Sequence, residues 1–436
     1  MVVSSEDVLV IGAGPAGLLA AWVARRRGAK VRVLAAGIGT THISPGWIGV
    51  LDTAGDPSTS VRLSAHAESS GQALAAALDS WSAAHPAHPY AVAGRDALAG
   101  GIAALREVCA PVGLNYLGDL SGNFRLPTAL GAAAPAAVVP ESFAAGDLRR
   151  PGAMLIAGPA GWRDFYPKLC ADNLARQGFA AQGTTFDLPE MAAASRFDLT
   201  PVGLARLFER AEVRARVAAQ LKPRLAGATR VGLPAVIGLA QHAEAWRDLQ
   251  DRLGVPVFEI PTLPPSVPGM RLFDAFKAAL TRAGVPILLD MTATRGVIDE
   301  DPKGLRRPLG SGVVVPGVVR EAIYRADTII LATGGLYGGG ITSNHRGELR
   351  EAVFGLPVHA PGGLGDWFDA KFLTESGHAA HYAGVRANAR LQPVDEAGNV
   401  VLDSVRIAGR LLAGYNPVIE GSTEGVWLAT GYRAAA

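Results

Sequence analysis

One stretch near the start constrains the fold more than any other. Residues 8–35 read VLVIGAGPAGLLAAWVARRRGAKVRVLA. Four apolar residues, Val8 to Ile11, break at Gly12-Ala13-Gly14-Pro15-Ala16-Gly17, and the chain continues as an apolar, arginine-rich helix to Gly28 and a second strand, Val31 to Leu34. Strand, glycine turn, helix and strand make one βαβ unit, which belongs to a parallel sheet with helices on its faces. The glycine spacing is that of a dinucleotide fingerprint: Gly12 makes the tight turn, Gly14 lets backbone approach a pyrophosphate, and Gly17 lets helix and strand pack closely. Pro15 falls in the first helical turn, where its missing N–H costs nothing. Gly12, Ala13, Gly14, Pro15, Ala16 and Gly17 are therefore expected at the phosphates of a dinucleotide or flavin. One element is missing. An acidic side chain about 20 residues past the glycines holds the adenosine ribose in such folds, and here that place is taken by Ala35.

At 436 residues the chain is long enough for two or three domains. With 49% apolar residues, 18% charged residues and a net charge of +2, nothing suggests a nucleic-acid or lipid surface. The longest apolar run, Val8 to Ala24, is broken by three glycines and a proline and reads as strand, turn and helix rather than a membrane span. With no signal-like segment either, the expected compartment is the cytoplasm. Cys109 and Cys170 are the only cysteines and form no CxxC pair, so neither a metal site nor a self-contained iron–sulfur cluster is expected.

The expected fold class is α/β: a Rossmann-like flavin-binding domain, discontinuous in sequence, with an inserted α/β domain. Residues 1–70 supply its N-terminal part, and 71–152 form a helical connecting region that ends in the low-complexity run AAAPAAVVP. Over 153–262 apolar runs alternate with helical periods, the mark of another parallel α/β unit. Residues 263–436 return to the first domain. The returning strand is ADTIILATGG (326–335), whose small residues Thr333, Gly334 and Gly335 let chain pass beside a cofactor. The last constellation is IAGRLLAGYNPVIEGSTEGVWLATG (407–431), a strand, a glycine-rich loop and a helix. A helix start around Gly421, Ser422, Thr423 and Gly425 would aim N–H groups and a positive dipole end at an electron-rich isoalloxazine. A flavoenzyme needs side chains that exchange protons and hold its substrate, and His and Arg can do both. His42, His345, Arg346 and Arg350 lie in or just after the segments expected to face the flavin, and are the catalytic candidates.

These residues, together with THISPGWIGVL (41–51), HPAHPYAV (85–92), PTLPPSVPGMRL (261–272), LATGGLYGGG (331–340) and AGYNPVIEGSTEGV (413–426), make the chain resemble the B subunits of anaerobic, quinone-linked glycerol-3-phosphate dehydrogenase over nearly its whole length. The proline-dense run is the most discriminating, because a flavin fold in general does not require it. The resemblance implies a flavoprotein related to the fumarate reductase and succinate dehydrogenase group, and places Thr41, Ser44 and Gly46 at the cofactor. It implies FMN as cofactor, whereas the intact glycines favour a pyrophosphate and hence FAD; the absent carboxylate at Ala35 costs FMN nothing. It further implies oxidation of sn-glycerol 3-phosphate to dihydroxyacetone phosphate in anaerobic respiration. An FAD-containing A subunit and an iron–sulfur, membrane-associated C subunit are the implied partners, holding the chain peripherally at the inner face of the cell membrane without insertion of its own. The alternatives are a self-contained FAD-dependent oxidoreductase of the fumarate reductase type and a flavin-binding assembly subunit without chemistry of its own. The chain departs from the family in its terminal loop, which reads GSTEG, with Glu424 adding a negative charge.

Overall fold

The computed structural model describes residues 2–52, 74–193, 199–298, 311–317, 320–360, 362–372, 374 and 377–436. The expected boundary at residues 70/71 lies outside the described residues. The opening stretch forms strand Val2–Ile11, helix Pro15–Arg26 and strand Val31–Leu34. The larger sheet runs in space as Ile287–Leu288, Val31–Leu34, Val2–Ile11 and Ala322–Leu331, all parallel. Beyond Ala322–Leu331 it divides. Ser311–Val315 pairs antiparallel with the first half of that strand and Arg295–Ile298 with Ser311–Val315, while Val405–Ile407 pairs parallel with its end. Ile11 is in register with Leu331 and Leu34, and Leu331 with Ile407, so four parallel strands finish at one level. The crevice beyond the carboxyl ends of such strands is where an open α/β sheet binds its ligand.

A second sheet, wholly parallel, is built from Val257–Ile260, Arg230–Pro234, Met154–Pro159 and Ala181–Phe186. It has a separate core containing Ile156, Leu174, Phe208, Val217, Leu249 and Phe258. Its inner strands are almost continuously apolar because both faces are covered, as parallel sheets require. Two of its helices, Pro201–Phe208 and Ala211–Leu221, bury apolar residues at helical spacing, Leu204, Ala205 and Phe208 on the first and Val213, Val217 and Leu221 on the second. The first also carries a start signal: Thr200 accepts a hydrogen bond from the Gly203 N–H at 3.1 Å, with Pro201 opening the helix. The AAAPAAVVP run is paired backbone rather than a bare connector. Ala133–Ala136 lies antiparallel to Phe124–Pro127, and Val139–Pro140 to Tyr116–Leu117. Exchange between Ile48 and residues 137–138 fixes it further, so tertiary pairing overrides the weak strand preference of Ala and Pro.

Helix Val267–Arg282 ties the two sheets together. Ser266 caps it by accepting from the Gly269 N–H at 3.1 Å. From its first turns Arg271, 5% exposed, reaches Glu259 at the end of a strand of the second sheet. One guanidinium N–H donates to Glu259 Oε2 at 2.7 Å and another to Oε1 at 3.0 Å; further donors satisfy the carbonyls of Gly238 and Ile237. Burial alone would raise the Glu259 carboxyl, but Arg271 and His242 outweigh it and hold it below its ordinary value. The same helix start carries the residue 41–46 loop: Ser266 N–H donates to the His42 carbonyl at 2.7 Å, and Gly46, at φ +88°, sits against Pro268.

Candidate cofactor site

A cavity of about 660 Å³ opens where the parallel strands end. This lies within the usual range for small-molecule sites, roughly 300–1,000 Å³. Across the strand ends its wall takes Ala35 and Ala36 after Val31–Leu34, the Gly12–Ala16 turn after Val2–Ile11 and Arg410 after Val405–Ile407, with Met291, Tyr415, Glu424 and Trp427 also lining it.

The fingerprint glycines do three different things. Gly12, at φ +115°, has backbone that only glycine adopts readily, and a Cβ there would strike the Ala332 carbonyl. Gly17 is packed so closely that a Cβ would meet the Gly12 carbonyl and, at 3.2 Å, the Ala332 Cβ. Gly14, by contrast, has nothing within 4 Å of where its Cβ would stand. It is also the N-cap of helix Pro15–Arg26, with no side chain capping the first-turn N–H groups and no acidic residue in that turn. Uncapped N–H groups at a positive dipole end, beside a space kept open by glycine, suit a phosphate.

Of the residues nominated from sequence, Gly12, Ala13, Gly14, Pro15, Ala16, Ser44, Thr333, Gly334, Gly335 and Thr423 line the cavity. Gly17 lies behind the turn. Thr41 and Gly46 face helix Val267–Arg282 instead, Gly269 leaving no room for a Cβ beside the Thr41 carbonyl. The C-terminal loop is arranged differently from the expected row of free N–H groups. Gly425 N–H donates to the Gly49 carbonyl at 2.8 Å, the Ser422 hydroxyl donates to Glu420 at 2.8 Å, and Gly421 is a left-handed residue (φ +61°) ending the short helix Pro417–Glu420. Thr423 and Glu424 of helix Thr423–Ala434 reach the cavity.

None of the four catalytic candidates lines it. His42 packs edge-on against Phe273, ring centroids 5.3 Å apart, its buried Nε2 has no protein partner among the described residues, and burial lowers its pKa. His345, Arg346 and Arg350 ride an exposed hairpin, Ile341–Ser343 with Leu349–Glu351. Proximity in sequence to LATGGLYGGG does not carry them inward, because the hairpin leaves the sheet after Gly340.

The charged groups on the cavity wall are Arg410 and Glu424, among the described residues. Arg410 stacks over the Tyr415 ring, 5.0 Å from guanidinium carbon to centroid, and donates from Nη2 to the His381 carbonyl at 2.7 Å; its buried Nη1 has no protein partner among the described residues. Thr333 Oγ1 is likewise buried without one. Tyr337, on the wall, shares its hydroxyl with His381 Nε2 at 2.8 Å. Glu424 is partly buried, and burial pushes its carboxyl up to about 7 in spite of the N–H groups of Glu424 and Gly49. Arg410 and Tyr415 lie within the 407–431 constellation, where attention to glycines passes over the RLLAGY run that a cation beside an aromatic could have flagged. These unmet donors, the open position at Gly14 and a wall that runs across the strand ends from Ala35 to Arg410 fit a flavin dinucleotide.

The family model described as "FAD binding domain" matches residues 7–426. FMN, which the resemblance implied, finds no support in that match. Among curated relatives, a Halobacterium salinarum protein, named as a probable B subunit of anaerobic glycerol-3-phosphate dehydrogenase, is 32% identical, over 100% of this chain and 97% of the relative. One from Aliivibrio fischeri, named as the B subunit of the same dehydrogenase, is 26% identical, over 98% and 94%. Among solved structures, the open conformation of a flavocytochrome c3 fumarate reductase aligns with 100% of this chain and 78% of its own, at 11% identity and a TM-score of 0.44.

Proposed function

The chain belongs to the FAD-binding-domain family and, within it, to the B subunits of anaerobic glycerol-3-phosphate dehydrogenase, and on that footing we propose that it holds FAD and oxidises sn-glycerol 3-phosphate to dihydroxyacetone phosphate. The observation that carries the reading is the cavity, whose wall holds the glycine turn together with Ala35 after the strand on one side of it and Arg410 after a strand on the other. When bound, the flavin accepts a hydride from the secondary alcohol. The chain's own residues do the rest. First-turn N–H groups after Gly14 hold the phosphates, and Gly12, Ala13, Pro15, Ala16, Ser44, Thr333, Gly334, Gly335 and Thr423 shape the wall around the cofactor. Arg410, the one cation on that wall among the described residues, takes the phosphate end of the substrate.

Electrons then leave for a partner protein. With two cysteines in the whole sequence, the chain cannot supply the four thiolates of a cluster. Among the described residues no helix is long and apolar enough to cross a membrane; in this reading the chain is held peripherally by an iron–sulfur C subunit, alongside a flavoprotein A subunit. The flavin-loaded chain alone is expected to show little or no glycerol-3-phosphate:quinone activity, and the activity is expected to appear when the A and C subunits are added. Robust turnover by the lone chain with a quinone analogue would favour a self-contained enzyme of the fumarate reductase type.

Ala35 tests the choice of nucleotide. It lines the cavity where an adenosine ribose belongs and carries no group to bond it. Ala35→Glu is expected to tighten FAD several-fold, matching one added hydrogen bond of about 0.5–1.5 kcal/mol, and to leave FMN affinity unchanged. Dissociation constants for both nucleotides decide it; equal effects on the two would put the ribose elsewhere.

A further inference from the structure

The cavity wall holds a carboxylate that the binding of a cofactor does not call for. A nucleotide with its phosphates at Gly14 and its adenosine toward Ala35 directs its ring the other way across the strand ends, toward Arg410 after Val405–Ile407, which lies over Tyr415, itself close to Glu424. A negative side chain there works against an electron-rich ring, so placing one in the first turn of helix Thr423–Ala434 needs a reason. We propose that Glu424 is the proton-exchanging group of the site, taking the hydroxyl proton of the substrate alcohol as the hydrogen on the same carbon leaves with its electron pair for the flavin.

The step balances. The alcohol loses a hydride and a proton and becomes a carbonyl; the flavin gains the electron pair; Glu424 holds the proton and later returns it to solvent. This assignment rests on the oxidation proposed above, and its geometry is independent of it. Glu424 is the only carboxylate on the cavity wall among the described residues. Its position is fixed from two sides: Gly425 N–H is tied to the Gly49 carbonyl at 2.8 Å, and a Cβ on Gly49 would stand 3.4 Å from Glu424 Oε2. The polar groups packed around it are otherwise engaged. Tyr90, from helix Pro89–Ala93, donates to the Val50 carbonyl at 2.7 Å, and burial keeps it a phenol. Burial also pushes Tyr415 up to about 12. Glu420 is paired with His88 at 3.1 Å and receives the Ser422 hydroxyl, and Arg410 lies over Tyr415. Among the described residues no counter-ion therefore pins Glu424 in one charge state, and its carboxyl, raised by burial, changes charge near neutrality. It is neutral below about pH 7, which favours the electron-rich reduced cofactor, and ionised above, as a base must be.

The test uses the flavin-loaded chain and two readouts. Reductive titration with a chemical reductant, followed by absorbance across roughly pH 5.5–8.5, is expected to show a break in the potential-against-pH curve near the Glu424 value, and Glu424→Gln is expected to remove it at unchanged flavin content. In anaerobic stopped flow, sn-glycerol 3-phosphate is expected to reduce the flavin about a hundredfold more slowly in Glu424→Gln, with partial recovery in Glu424→Asp. A Glu424→Gln protein that keeps both the break and the wild-type rate overturns the assignment. If wild type is not reduced by glycerol 3-phosphate at all, the proposed substrate fails, and the potential curve alone still decides the role of Glu424.

Discussion

Gly14→Val is expected to give a folded, colourless protein, and Gly17→Val a protein that does not fold. The two residues lie three apart in one motif, yet their surroundings are opposite. Gly14 has φ −71° and ψ 171°, extended backbone that valine adopts without strain, and no atom stands within 4 Å of its missing Cβ. The added methyl groups project into the space where a phosphate meets the first-turn N–H groups. Losing two charge-assisted hydrogen bonds, at about 1.5–3 kcal/mol each, lowers flavin affinity by roughly 10²–10⁴-fold. Gly17 has no such room: its Cβ would have to displace the Gly12 carbonyl, so strand Val2–Ile11 and helix Pro15–Arg26 cannot keep their approach. Flavin released by acid, set against the circular dichroism of each variant, separates the outcomes. A Gly14→Val protein with full flavin occupancy would sink the phosphate assignment.

Arg271→Met is expected to cost about 3–5 kcal/mol of stability, because it removes one half of a buried ion pair and strands the other. Glu259 would keep the Ser142 hydroxyl at 2.9 Å and the Ile237 N–H at 3.2 Å but lose both guanidinium contacts, and the Gly238 carbonyl would lose its donors. The pH dependence has a definite sign. In the parent the Glu259 carboxyl is held below its ordinary value, so the pair's contribution is present above about pH 4.5 and fades as acid protonates it. In Arg271→Met burial is opposed only by His242 and the Ser142 hydroxyl, the carboxyl takes up a proton more readily, and the deficit is largest at neutral pH and shrinks on acidification. Urea denaturation at neutral and at mildly acidic pH measures both; a deficit that grows with acid would contradict the account. The double variant Arg271→Met with Glu259→Gln is expected to recover part of the loss.

What could be read from the sequence was whatever is local or carried by an uninterrupted apolar run. Val8–Ile11, the glycine turn and Val31–Leu34 are consecutive, and their geometry follows from residue type. The returning strand at 326–331 is far away in sequence but announces itself by apolarity and the small residues after it. Direction is what the pattern does not encode. Nothing in TSNHRGEL says that the hairpin points its His345 and Arg346 into solvent, and nothing in THISPG says that His42 turns back onto Phe273 while Ser44 faces the cavity. Glu424 was visible as a charge near the expected site, but its depth depends on the Gly49 backbone folding over it from a distant part of the chain.

The wall of the cavity includes residues of the Ile11–Ala16 turn and, far downstream, Thr423, Glu424 and Trp427, and that sets an order of events during synthesis. At about 5–20 residues per second, the ribosome delivers the sheet neighbour Ala322–Leu331 on the order of 15–60 s after Val2–Ile11. The Met154–Ile260 sheet, with its own core, is complete well before then and can assemble first. The opening βαβ unit meanwhile lacks its parallel neighbour on one side and the helix that covers the cavity. A flavin that needs the whole wall therefore binds only once Thr423, Glu424 and Trp427 have been made and their helix has packed against the opening unit.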